Sequence, residues 1–166
     1  DLYCRMRFLI EIVRCVRKYV GEDYPLSVRL SASEYMENGI TLEETRIVAK
    51  ELEKEKVDVL HISGGNHETR WAQVVPMFLP LAIHVPAAAE IKKEVKIPII
   101  ASGSITSPEL AEEILNTGKA DFVGLARPLL ADPYFAKKAR EGNPEDIRRC
   151  IRCNEGCLKR GPVLSR

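Results

Sequence analysis

Four short apolar runs, each followed by a stretch of helical character, limit what this chain can fold into more than any other feature. The runs cover 26–30, 57–62, 97–101 and 121–126, and an amphipathic segment precedes the first. Short apolar strands separated by helices predict a parallel sheet, because parallel neighbours need a crossover long enough to hold a helix. Crossovers of one hand leave two architectures, an open doubly wound sheet or part of a closed barrel. A complete barrel takes about 250 residues, and this chain has 166. If it is barrel sequence it is expected to be a piece, with inner strand faces short of packing partners.

Local signals agree with this order. In the leading segment Leu9, Ile12, Val13, Val16 and Val20 recur at helical spacing and Gly21 stops the helix. Cys4 and Cys15 lie in that helix and are expected to be packing residues. Thr41 followed by Glu44 reads as a capping box. Ser107 followed by Pro108 reads as an N-cap with proline at the first helical position. The stretch 63–85 carries Gly64, Gly65, Pro76 and Pro80, too many breakers for one helix and too much apolar character for a linker. Long ordered loops of this kind are often functional. The character changes near Asn143, so the expected division is 1–142 and 143–166.

Charge and composition exclude several classes. Lys plus Arg total 25 against 24 Asp plus Glu, which gives no electrostatic case for a nucleic-acid partner. No apolar run reaches the roughly 18 residues of a membrane span, and no signal-peptide pattern opens the chain. A cytoplasmic protein is expected. Five cysteines are present, and three crowd together as Cys150, Cys153 and Cys157. Clustering of this kind points to metal or iron–sulfur ligation in a reducing compartment rather than to disulfides.

Candidate site residues sit at or beyond the strand ends, where α/β folds hold their chemistry. Arg29 lies between Val28 and Leu30 and so faces the opposite side of the strand. A charge there requires either a salt bridge or a bound anionic or electron-rich ligand. His67 follows the second strand in Ser63-Gly64-Gly65-Asn66-His67-Glu68, as a proton donor or as a surface loop histidine. His61, inside the strand, is expected to be packed, and His84 is assigned no role. Gly103 and Ser104 follow the third strand, and Ala126 and Arg127 end the fourth. Two glycine-containing turns beside an arginine suit an anion, or are simply tight βα turns with a surface arginine. Cys150, Cys153 and Cys157 are spaced to share one iron–sulfur cluster or one zinc ion, although a tetrahedral site needs a fourth ligand.

Arg5-Met6-Arg7-Phe8-Leu9, Ser27-Val28-Arg29-Leu30-Ser31, 61–70, 100–105 and Ala126-Arg127-Pro128 then fall in order ahead of the cysteine tail. Together they resemble the Old Yellow Enzyme family. The resemblance is closest to its iron–sulfur branch, the 2,4-dienoyl-CoA reductases, 2-enoate reductases and bile-acid-inducible NADH:flavin oxidoreductases. It implies an α/β fold, the second half of a TIM (βα)8 barrel of about four βα units with a C-terminal cysteine-rich segment. On it Arg29 is similar to the arginine at the flavin pyrimidine edge. Gly103, Ser104, Ala126 and Arg127 are similar to the FMN phosphate site. His67 is similar to the histidine that assists substrate protonation, and Cys150, Cys153 and Cys157 to three ligands of a 4Fe–4S cluster.

The implied activity is reduction of a small-molecule activated alkene by hydride from FMN, with NAD(P)H as electron donor. Trp71 or Phe78 is expected either to meet substrate or to pack in the core. The resemblance also implies that the first four βα units, a tyrosine proton donor and a fourth cluster cysteine lie outside this sequence. The isolated chain is therefore expected to bind FMN poorly, to be inactive, and to self-associate through its open strand faces. Two other readings remain: a non-catalytic phosphate-binding half-barrel module, and a zinc-binding interaction module built on the cysteine tail.

Overall fold

The computed structural model describes residues 1–159. Residues 160–166, part of the expected iron–sulfur segment, lie outside the described residues. The elements run α1 (Leu2–Val20), β1 (Ser27–Ser31), α2 (Leu42–Lys54), β2 (Val59–Ser63), α3 (Arg70–Gln73), α4 (Val85–Lys92), β3 (Ile99–Ala101), α5 (Pro108–Asn116), β4 (Phe122–Val123), α6 (Arg127–Ala131) and α7 (Phe135–Arg140). A 3-10 turn at Pro144–Asp146 and a π turn at Glu155–Lys159 follow.

The four strands are all parallel and stand in the order β1-β2-β3-β4. An open doubly wound sheet must reverse its strand order to place helices on both faces. This order never reverses, and crossovers of one hand then put the helices on a single face. The arrangement is that of half a (βα)8 barrel. The helix-facing set is buried and apolar: Val28, Leu60, Ile62, Ile99 and Ala101. It packs with Ile10 and Val13 of α1, Val48, Ala49 and Leu52 of α2, Ala88 and Ile91 of α4, and Ala111 and Ile114 of α5. The alternate set faces away from the helices. Register aligns Arg29, His61, Ile100 and Phe122 across the sheet, and Phe122 is 56% exposed.

Helix ends follow local chemistry. Thr41 and Glu44 form the capping box, Ser107 Oγ accepts from the Leu110 amide ahead of Pro108, and Gly21 at φ 82° ends α1. Three expectations need correction. The inward stripe of α1 is Ile10 and Val13, buried, with Leu2, Met6 and Leu9 partly buried beside them, so Ile12 and Val20 turn outward. Cys4 and Cys15 are exposed rather than packed. The last turn of α1 instead turns Arg17 inward, where it donates to the Tyr24 carbonyl at 2.7 Å and to Asp58 Oδ2 at 2.8 Å, tying the helix to the starts of β1 and β2. β4 is two residues long, not six. Gly124 still donates to the Ala101 carbonyl at 2.7 Å, and the chain then leaves the sheet to begin α6.

Candidate cofactor site

The C-terminal ends of the four strands open into one cavity of about 290 Å³. Its wall takes Arg29 from β1, His61 and Ser63 from β2, Ser102, Gly103 and Ser104 from the turn after β3, and Gly124 to Arg127 from the turn after β4. Arg29, Gly103, Ser104, Ala126 and Arg127, read from sequence as cofactor-binding, therefore stand around a single space. His84 and Gln73, from the long excursion after β2, close its side, and Cys150 and Arg152 border it from the tail. His67 is exposed in the turn beyond β2 and stands outside that wall. Asn66 forms that turn, its Oδ1 accepting from the amides of Glu68 at 2.9 Å and Thr69 at 3.2 Å. Trp71 is 43% exposed and packs against Tyr35 with ring centroids 5.2 Å apart, while Phe78 is 81% exposed. Neither belongs to the core.

The site is short of partners on its own. The Arg29 side chain makes no hydrogen bond or ion pair among the described residues. His61 does not join the core. It lines the cavity, and its Nε2 is buried without a hydrogen-bond partner. An unmet buried nitrogen costs about 1–3 kcal/mol. Gly124 leaves room for that nitrogen, since a Cβ there would lie 3.0 Å from it. Burial first, and the Arg29 charge second, push the His61 imidazole below its usual range. It is neutral at physiological pH and free to accept or donate one hydrogen bond.

Arg127 is anchored yet not exhausted. Nη1 donates to the Val75 carbonyl at 2.8 Å and to Asn154 Oδ1 at 2.6 Å, and Nη2 to Ser104 Oγ at 2.9 Å. A guanidinium has five N–H donors, so the Nε donor and one on Nη2 remain. Two donors on a fixed plane suit a forked contact with anionic oxygens. Gly103 at φ +108° and Ser104 at φ 61° bend the β3 turn so that the chain skirts the cavity.

His84 was invisible to sequence reasoning. It is the N-cap residue of α4 and only 2% exposed, with Nε2 3.0 Å from the Ala72 carbonyl and Nδ1 3.4 Å from the Tyr35 hydroxyl. A carbonyl only accepts, so Nε2 carries the proton and Nδ1 accepts from Tyr35. Burial is the main cause holding this imidazole below its usual range. The Ala72 hydrogen bond opposes the shift, and Arg29 adds to it. Gly64 and Gly103 press against the ring: a Cβ on either would come within 2.5 and 2.6 Å of it. His84 thus sets the spacing between the turns after β2 and β3.

A second cavity of about 420 Å³ lies against the first, with Arg127 and Cys150 in both walls. Cys153 and Cys157 line it too, and all three cysteines are free. Their donor chemistry is that of a thiophilic metal or cluster. Among the described residues no three His, Cys, Asp or Glu side chains close on one point as a metal site.

These features define an α/β barrel-type domain with an anion-receptive rim. The chain belongs to the NADH:flavin oxidoreductase / NADH oxidase family, whose sequence profile matches residues 1–146. It is 49% identical over 154 residues to an NADH oxidase from Thermoanaerobacter brockii, covering 93% of this chain and 24% of that protein. It is 45% identical over 158 residues to a metal reductase from Desulforamulus reducens, covering 95% of this chain and 24% of the relative. Among solved structures, a 2-naphthoyl-CoA reductase in complex with 2-naphthoyl-CoA matches at TM-score 0.92 and 38% identity, over 98% of this chain and 25% of that one. The chain thus spans about a quarter of the length of these relatives. No helix among the described residues is long and apolar enough to cross a membrane.

Proposed function

We propose that this chain supplies the phosphate-binding and pyrimidine-edge half of an FMN site in an NADH-linked reductase of activated, unsaturated carbon. One observation carries the reading: Arg29, the Gly103–Ser104 turn and Arg127 wall a single cavity in a chain of the flavin oxidoreductase family. The residues fit such a group. Among the described residues the Arg29 side chain has no partner, His61 Nε2 is buried and unmet, and Arg127 keeps two donors spare beside the left-handed Gly103 turn.

In this reading Arg127, with the Gly103, Ser104 and Ala126 backbone, holds the phosphate. Arg29 faces the electron-rich ring edge, where a fixed cation favours the charge that builds up on reduction. When bound, FMN supplies hydride chemistry. His67, exposed in the turn beyond β2, would be the group that handles the substrate proton. Cys150, Cys153 and Cys157 would hold an iron–sulfur cluster, and the chemistry such a group would supply when bound is one-electron transfer. Support for this part is the shared cavity wall and the soft donor set.

The test is anaerobic turnover, with NADH and an α,β-unsaturated thioester, by the flavin-loaded protein in which both halves of the FMN site are present. The expected result is one NADH consumed per C=C bond lost, with iron and acid-labile sulfide in the protein. NADH oxidation that leaves the C=C bond untouched contradicts the substrate class. A protein that binds no flavin contradicts the whole reading.

A further inference from the structure

The cysteine segment is fastened to the cofactor cavity by side chains that alternate with the cysteines themselves. Arg152 sits between Cys150 and Cys153, and Asn154 directly follows Cys153. Both adopt left-handed backbone, at φ 59° and 61°. That is an uncommon conformation for arginine, and the surroundings must hold it. Arg152 Nη1 donates to the Leu79 carbonyl at 2.7 Å and the Pro80 carbonyl at 3.3 Å, and Nη2 to the Met77 carbonyl at 3.0 Å. Asn154 Nδ2 donates to the Val74 carbonyl at 2.9 Å, while its Oδ1 accepts from Arg127 at 2.6 Å. Arg127 meanwhile holds the Val75 carbonyl and Ser104 Oγ. Three side chains therefore fix five carbonyls of the stretch 74–80, and one of the three is the cation of the anion-receptive rim.

We propose that Arg152 and Asn154 are positioning residues that couple the two cavities, so that an anion held at Arg127 is felt at Cys153 and Cys157 through the Arg127–Asn154 hydrogen bond. The proposal rests on the reading of the first cavity as a phosphate site. The physical route is ordering. An anion on the spare donors of Arg127 fixes the guanidinium plane, which fixes the acceptor on Asn154 and stills the segment between Cys153 and Cys157. Linkage makes the effect reciprocal: whatever orders the cysteines tightens anion binding by the same factor.

The experiment uses the protein with both halves of the FMN site, carrying Cys4→Ser and Cys15→Ser and freed of flavin and metal. Labelling of Cys150, Cys153 and Cys157 by a thiol reagent is followed by mass spectrometry, with FMN or inorganic phosphate as the probe. Cys150 borders the first cavity, so its shielding reports occupancy. Cys153 and Cys157 line only the second, so their response reports coupling. Saturating FMN is expected to slow labelling at Cys153 and Cys157 about fivefold or more. Asn154→Ala is expected to abolish that slowing while Cys150 stays shielded, and to weaken FMN binding by the same factor. Arg152→Ala, which leaves Arg127 untouched, is expected to raise the ligand-free labelling rate at Cys153. Unchanged labelling at Cys153 and Cys157 under FMN, or slowing that survives Asn154→Ala, overturns the coupling. If FMN does not bind, the flavin reading fails, and the phosphate arm decides the coupling on the same two criteria.

Discussion

Leu60 and His61 are neighbours on β2, yet they live on opposite sides of one sheet. Leu60 is fully buried against the helices, whereas His61 faces the cavity with a buried nitrogen that meets nothing. The same split runs along β1, where Val28 is buried and Arg29 is exposed and without an ion pair among the described residues, and along the row that ends at exposed Phe122. One face is complete in itself and supplies stability. The other leaves the Arg29 guanidinium and His61 Nε2 unmet among the described residues, a cost accepted where a ligand is to be received. Stability and binding therefore separate by single-residue steps along a strand, and substitutions can test the separation.

The largest effect belongs to the helix-facing side. Leu60→Ala is expected to cost about 2–5 kcal/mol through lost burial and the cavity left behind, read as a lower urea midpoint with an unchanged slope. Next is the rim: Gly103→Val places a branched side chain at φ +108° and a Cβ 2.6 Å from His84. It should weaken FMN binding tenfold or more, roughly the 1–3 kcal/mol of a strained backbone site, by fluorescence titration. A Gly103→Val protein that binds flavin normally breaks the contrast at that turn. His61→Ala should change stability by less than about 1 kcal/mol, because relief of the unmet buried nitrogen offsets the lost packing of the half-buried ring. A Leu60-sized loss at His61 would show that the cavity face is core after all.

A separate effect is one of pH and lies away from the cavity. Asp132 is only 3% exposed; its carboxylate accepts from Lys138 Nζ at 2.7 Å, the Arg148 amide at 2.9 Å and the Tyr134 amide at 3.0 Å. Lys138 first, then the Arg148 amide, hold its pKa down to about 2. A carboxylate depressed on folding stabilises the fold above the unfolded value near 4 and loses that contribution as pH falls through the folded value. The melting difference between the protein and Asp132→Asn should be constant above about pH 5, shrink as the pH falls, and vanish only below about pH 2. A difference that grows as the pH is lowered contradicts this assignment.

Much of this contrast was legible in the residue order. The capping box at Thr41–Glu44, the Ser107–Pro108 start and the Gly21 stop are short-range chemistry, and all three stand as read. Arg29 was legible because strand side chains alternate, and the same alternation placed His61 on the Arg29 side, although its apolar neighbours suggested packing. The α1 stripe was misphased because apolar residues occupy both sides of that helix, and Arg17 takes an inward place to tie two strands. β4 was read too long because 124–126 is apolar but leaves the sheet. His84 could not be read at all. It acquires its meaning from Gly64 and Gly103, about 20 residues away on either side, and only folding brings them onto its ring.

The central claim is that the strand ends form a site for a phosphorylated flavin, and the phosphate is the part this chain would hold. Calorimetric titration of the protein with FMN and, separately, with riboflavin tests it most directly. The account predicts that FMN binds at least about tenfold more tightly, as expected of charge-assisted hydrogen bonds worth roughly 1.5–3 kcal/mol each, and that Arg127→Ala erases the preference. Equal affinity for the two flavins, or a preference for FMN that survives Arg127→Ala, would contradict it.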